Sequence, residues 1–66
     1  MITLKDKIEL FRHGIDVFGS ARTFKQWLSV DNFYFDRKPP YTFLNTLEGI
    51  VFIGDRLYAI EYGTTA

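Results

Sequence analysis

The side chains that could do chemistry are few. The 66-residue sequence has no cysteine and a single histidine, His13. Without cysteine the chain has no disulfide, no thiolate nucleophile and no thiolate ligand for a metal ion, and one histidine cannot by itself make a zinc site or an acid–base relay. The carboxylates of Asp31 and Asp36 share a loop with no partner suited to acid–base work, so we expect them to be solvated, and we expect His13 to be a surface or helix-end residue. The sequence therefore predicts a non-enzymatic protein with no catalytic residue, no cofactor and no metal.

Composition narrows the class of partner. Eight basic residues balance eight acidic ones, which argues against direct nucleic-acid binding because such proteins carry a basic surface. The chain is 47% hydrophobic and contains seven Phe, four Tyr and one Trp, enough for one small domain whose core is barely sufficient. We therefore expect association with a protein partner. No segment approaches the ~20 apolar residues of a membrane span, and the N-terminus lacks the pattern of a secretion signal, so we expect a cytoplasmic protein.

The first eighteen residues predict an amphipathic helix. Thr3 and Asp6 resemble a capping arrangement at its start, and Gly19 can end it in a left-handed conformation. The apolar residues of its stripe are spaced 4, 3, 4 and 3 apart. They are Leu4, Ile8, Phe11, Ile15 and Phe18.

A second, shorter helix is predicted after Ser20, which is suited to cap it. Phe24, Trp27 and Leu28 follow at the i, i+3 and i+4 spacing of an apolar face. For Trp27 we favour a position in the core over a role as an interface hot spot.

The connector at residues 30–40 has no helical period. Pro40 is suited to open a short helix that continues through Phe43 and Leu44. Phe33, Tyr34 and Phe35 are consecutive aromatic residues, so at least one of them should face outward. The pattern leaves two interpretations open: a contact surface, or a loop folded back to fill a small core.

The last third is compatible with two structures. Residues 50–53 and 56–60 read as the strands of a β-hairpin joined by a Gly-Asp turn, which gives an α+β fold with a hairpin at 50–62. The same residues read as a helix capped by Thr46, with an apolar stripe that runs from Ile50 to Ile60. Propensity leans towards the hairpin, but the pattern does not decide.

An ordered set of residues from Phe18 onward resembles a known family. From Trp27 to the end, the spacing of this set matches the family pattern without a gap. The set consists of Phe18, Gly19, Trp27, Leu28, Asn32, Pro40, Phe43, Leu44, Thr46, Glu48, Gly49, Leu57, Ile60, Glu61, Tyr62 and Gly63. In these positions the chain is similar to the toxin-binding domain of Xre/MbcA/ParS-type antitoxins.

The resemblance implies an all-α domain of three to four short helices and a non-enzymatic function. Such a domain neutralises a cognate toxin, typically a RES-type enzyme that consumes NAD⁺, by covering its active-site cleft. The tail could enter a nucleotide cleft through its carboxylate. The expected partner-binding residues are Glu61, Tyr62, Gly63, Thr64, Thr65 and Ala66, together with Phe33 and Tyr34 of the connector. A homodimer is also expected, and the alternative function is an oligomerisation or interaction module without a toxin.

The resemblance also predicts where the regions of the chain begin and end, and it shows where the chain departs from the family pattern. Residues 1–18 form an N-terminal helix, residues 19–66 the antitoxin-like region, and residues 63–66 a flexible tail. The segment before the antitoxin-like region is too short for the helix-turn-helix of longer family members. Glycines expected in the connector are replaced by Asp36 and Arg37, so we expect a different turn there.

Overall fold

The computed structural model describes residues 2–63 and shows an all-α fold. Three α-helices are present in this part of the chain: α1 (Leu4–Phe18), α2 (Ala21–Ser29) and α3 (Leu47–Glu61). Two 3₁₀ turns, Phe33–Phe35 and Pro40–Phe43, lie between α2 and α3. Residues Thr64, Thr65 and Ala66, which we expected to form the tail, lie outside the described residues.

The ends of α1 and α2 follow the local signals in the sequence. The Thr3 hydroxyl accepts from the Asp6 backbone N–H at 3.2 Å, and the Asp6 carboxylate accepts from the Thr3 N–H at 3.0 Å, which completes a capping box. Gly19 ends α1 with φ of 85° and donates to the Ile15 carbonyl. Ser20 caps α2 by accepting from the Thr23 N–H at 3.1 Å.

The C-terminal third is a single helix, so the hairpin alternative at residues 50–62 is wrong. Thr46 caps α3 through a bond from the Gly49 N–H to its hydroxyl oxygen at 2.9 Å. Ile50, Ile53 and Leu57 then form the buried stripe of the helix. The helix is favoured because it places these three side chains on one face that enters the core, whereas a strand would point Ile50 and Ile53 to opposite faces.

The core is built around the Phe24 ring, which is fully buried. Phe11 meets it edge-on with ring centroids 5.2 Å apart, and Trp27 stacks near it at 6.1 Å. Trp27 also contacts the buried ring of Phe35 edge-on at 5.6 Å. Trp27 is therefore a half-buried core residue, as the sequence indicates.

The buried face of α1 differs from the predicted stripe. Leu4 is 74% exposed and Ile8 is also exposed, whereas Leu10 and Gly14 are buried. The sequence offers two apolar faces on α1, and the position of the Phe24 ring against Gly14 selects the one that packs. Phe11 and Phe18 belong to the predicted stripe and do pack on the core.

Helices α1 and α3 pack side by side and run in the same direction. At one end Leu4 lies beside Asn45, just before α3, and at the other end His13 bonds to Glu61. Helix α2 packs on the other side of α1, where Phe24 contacts Phe11 and Phe18. None of the described helices is long and apolar enough to cross a membrane.

Candidate partner-binding surface

The connector places two of its three aromatic rings at the surface. Phe33 is 74% exposed and Tyr34 is 48% exposed, whereas Phe35 is fully buried. The side-chain oxygen of Asn32 accepts a hydrogen bond from the Tyr34 N–H at 2.9 Å. The backbone carbonyl of Asn32 accepts from the N–H groups of Phe35 and Arg37. Asn32 therefore holds the backbone that points Phe33 and Tyr34 outward. The ring of Phe35 fills the core, as one interpretation of the connector predicts, whereas Phe33 and Tyr34 face solvent.

Arg56 fixes the exposed Tyr34 ring from α3. Its guanidinium carbon lies 3.8 Å from the ring centroid, within the range of a cation–π contact. The Phe33 ring meets Tyr34 edge-on with centroids 5.8 Å apart. These three side chains line a shallow groove together with Trp27 and Ile60. We call Phe33, Tyr34 and Arg56 the aromatic surface.

Sequence reasoning missed Arg56. Its contact joins residues that lie 22 positions apart, and no local spacing connects a loop aromatic with a distant helix cation. The only signal is an arginine that interrupts the apolar run of α3, and a solvated side chain explains it equally well. Trp, Tyr and Arg are the residue types most enriched in interface hot spots, and all three types border this groove.

The turn at Asp36 and Arg37 keeps a glycine-like backbone. Both residues have φ of 61°, in the left-handed region that favours glycine. Two residues with side chains thus occupy a backbone conformation that glycine adopts at lower cost. The Lys38 N–H donates to Phe35 and the Lys38 carbonyl accepts from Asn32, and these bonds hold the two residues in that conformation.

Glu61 has a structural partner at the end of α3. Its carboxylate lies 3.0 Å from Nε2 of His13 on α1. Both side chains are about one-third exposed, so the pair is partly solvated. This contact accounts for an acidic residue at a helix C-terminus, where the helix dipole alone would disfavour it. His13 is thus a partly exposed residue that joins the C-terminal half of α1 to the end of α3.

Tyr62 and Gly63 complete the C-terminal end of the described chain. The Tyr62 ring is 61% exposed and contacts the exposed Tyr58 ring with centroids 4.6 Å apart. Gly63 has φ of 65°, the left-handed conformation common after a helix. Tyr62 is thus not packed inward and is available to a partner.

The expected site residues fall on two flanks of α3. Arg56 and Ile60 lie one turn apart beside Tyr34, whereas Tyr58 and Tyr62 lie one turn apart on another side, about 200° around the helix. The structure thus brings Phe33 and Tyr34 together with Arg56, and Tyr62 together with Tyr58.

No group of three or more His, Asp or Glu residues within 2–63 could hold a metal ion. Asp31 and Asp36 are exposed, as expected.

Comparison with known families decides the class of protein. The model of the antitoxin Xre/MbcA/ParS C-terminal toxin-binding domain matches residues 13–63, which is well over half of the chain. The chain belongs to this family. As a toxin-binding domain it is expected to bind a protein partner. No curated protein and no solved structure matches the chain.

Within this toxin-binding domain, many of the motif residues that suggested the resemblance have structural roles. Thr46 caps α3, Gly19 ends α1, and Asn32 organises the connector. Leu28 and Leu57 are buried in the core. The motif residues that remain exposed at the end of α3 are therefore the better candidates for binding.

Proposed function

We propose that this toxin-binding domain neutralises a RES-type toxin that consumes NAD⁺, and that it does so by covering the active-site cleft of the toxin. The family supplies the class of partner. The observation that carries the site is the exposed pair Phe33 and Tyr34, in which the Tyr34 ring is held by Arg56 at 3.8 Å. A preorganised aromatic surface loses little conformational entropy on binding, which favours its use as an anchor.

In this proposal the aromatic surface anchors the toxin and the end of α3 reaches the cleft. Tyr62 and Gly63 are followed in the sequence by Thr64, Thr65 and Ala66, whose hydroxyl and backbone groups suit the polar donors and acceptors of a nucleotide cleft. Glu61 supports this end of the chain through His13 as well as being a candidate contact. The domain needs no catalytic residue, cofactor or metal for this function, and we place it in the cytoplasm with its target.

Co-expression with candidate toxins tests this proposal. Each RES-type reading frame adjacent to the gene is expressed alone and together with this chain, and growth is measured. We expect toxicity without the chain and rescue with it. An adjacent RES-type toxin that stays fully toxic in the presence of the folded chain would contradict the proposal and favour the alternative of an interaction module without a toxin.

Removal of residues 64–66 separates the tail from the rest of the domain. This truncation leaves Gly63, Glu61 and the His13 contact in place, so the fold should be unchanged by circular dichroism. We expect rescue to be lost. Full rescue by the truncated chain would show that the tail does not block the cleft.

A further inference from the structure

Gly54 lies in the middle of α3, and the packing of the fold does not require it. A Cβ atom built there would have one neighbour outside its own helix within 4 Å, Cδ1 of Leu10 at 3.9 Å, which is an ordinary contact. The other two helical glycines differ, since a Cβ would collide with the Phe24 ring at Gly14 and with the Phe43 carbonyl at Gly49. Glycine is a poor helix former, so position 54 lowers the stability of α3 without a packing reason.

The missing side chain keeps open a groove between α1 and α3. Gly54 forms part of its lining, with Asp6 and Glu9 on the α1 side and Leu47 and Val51 on the α3 side. We call this the α1–α3 groove. Leu47 and Val51 are 46% and 54% exposed, so the groove presents apolar side chains to solvent.

The side chains around the α1–α3 groove are mainly acidic, and His13 is the one basic side chain among the described residues that line it. The surface continues over Leu47 and Val51 to Glu48, Phe52 and Asp55. Among the residues that line these two adjoining surfaces there are four carboxylates and no lysine or arginine. The groove on α2 is the reverse, lined by Arg22 and Lys25 without an acidic residue. The chain is neutral as a whole, whereas these two surfaces differ in the sign of their charge.

We propose that the α1–α3 groove is a docking site for an apolar, basic-flanked segment of a protein partner. Such a segment would place an apolar side chain over Gly54, between Leu47 and Val51, and lysines or arginines beside the carboxylates. A second copy seated symmetrically on this groove is disfavoured, because it would bring carboxylates against carboxylates.

This site is separate from the aromatic surface. Gly54 precedes Arg56 by two residues, so the two positions point to nearly opposite sides of α3. The inference goes beyond the proposed toxin neutralisation, and its test does not need a toxin.

The test uses a synthetic helical peptide of about 14 residues with leucines at i, i+4 and i+7 and lysines at the flanking positions. It is titrated into the ¹⁵N-labelled chain, and amide shifts are mapped. We expect shifts centred on Leu47, Val51 and Gly54 that weaken as ionic strength rises. A matched peptide with glutamate in place of every lysine should produce none. Three results would overturn the proposal. They are amide shifts located outside the groove, equal shifts with both peptides, and no binding of the lysine peptide.

Gly54→Leu tests whether the absence of a side chain at position 54 keeps the α1–α3 groove open for binding. We expect it to weaken binding of the lysine peptide by at least tenfold and to raise the unfolding midpoint by about 4–8 °C, because leucine is a better helix former. Gln26→Leu adds the same side chain at an exposed position of α2 and should leave binding unchanged. Unweakened binding by a folded Gly54→Leu variant would contradict the role of Gly54.

Charge reversal supplies the second variant. Glu9→Lys with Asp55→Lys changes two groove carboxylates at exposed mid-helix positions, and we expect it to abolish binding of the lysine peptide. Asp16→Lys with Asp31→Lys gives the same change of net charge away from the groove and is the control. Equal loss in the two double variants would reduce the effect to overall charge and overturn the docking site.

Discussion

At the residue scale, the connector turn holds two residues with side chains in a backbone conformation that favours glycine. Asp36 and Arg37 both have φ of 61°. A residue with a Cβ in the left-handed region costs about 1–2 kcal/mol, and aspartate tolerates this region better than arginine does. The fold keeps the turn because the bonds between Asn32, Phe35 and Lys38 need it.

We predict that Arg37→Gly stabilises the domain by about 1 kcal/mol, since glycine adopts this conformation without steric cost although it gains entropy when unfolded. Urea unfolding measures the change. Lys38→Gly is the control and should not stabilise, because Lys38 lies in the extended bridge to Asn32. A turn without strain would show itself as an unchanged or lower unfolding free energy for Arg37→Gly.

Variants of the His13–Glu61 pair distinguish a structural role of Glu61 from a role in binding. Because the pair is partly exposed, its coupling free energy should be at most about 1 kcal/mol, measurable by a double-mutant cycle with His13→Ala and Glu61→Ala. If Glu61 also contacts the toxin, Glu61→Ala reduces rescue more than His13→Ala does. Equal rescue by the two variants would leave Glu61 with its structural role alone.

At the element scale, local signals predict the helix ends and tertiary contacts decide the rest. Thr3, Ser20, Thr46 and Gly19 act within a few residues of their position in the sequence, so their capping roles can be read from the sequence. The buried face of α1 and the helical state of α3 depend on what packs against them. The resemblance to the family, rather than propensity, supplied the correct structure for α3.

The same limit applies to the candidate site. The sequence identifies Phe33 and Tyr34 as surface candidates because three consecutive aromatic residues cannot all face one core. It does not identify Arg56 or the His13–Glu61 pair, since each contact joins residues that are distant along the chain.

The contact between α1 and α2 depends on Gly14. Its position under the Phe24 ring leaves no room for a methyl group. We predict that Gly14→Ala destabilises the domain by about 1–3 kcal/mol through overpacking, despite the better helix propensity of alanine. Thermal unfolding measures the change. Gly54→Ala, which meets only Leu10 at 3.9 Å, is the matched control and should instead raise the midpoint. A rise for Gly14→Ala would show that the ring moves without cost.

At the scale of the whole molecule, a small neutral chain with several exposed apolar side chains favours association. Leu4 and Ile8 lie on α1 outside the core and give the chain an apolar ridge. We predict a homodimer, seen as a light-scattering mass of about twice 7.7 kDa. Ile8→Glu should shift the mass towards one chain. A single-chain mass for the unmodified protein at micromolar concentration would contradict this prediction.

We propose that this toxin-binding domain neutralises a toxin through its aromatic surface. The most direct measurement is the rate of NAD⁺ consumption by the adjacent RES-type protein as the purified domain is added. We predict that the domain abolishes the activity, and that Phe33→Ala with Tyr34→Ala raises the required concentration at least tenfold, about 1.4 kcal/mol. Tyr41→Ala, at an exposed tyrosine outside the aromatic surface, should have no effect. Undiminished NAD⁺ consumption in the presence of the domain, or full inhibition by the double variant, would contradict the account.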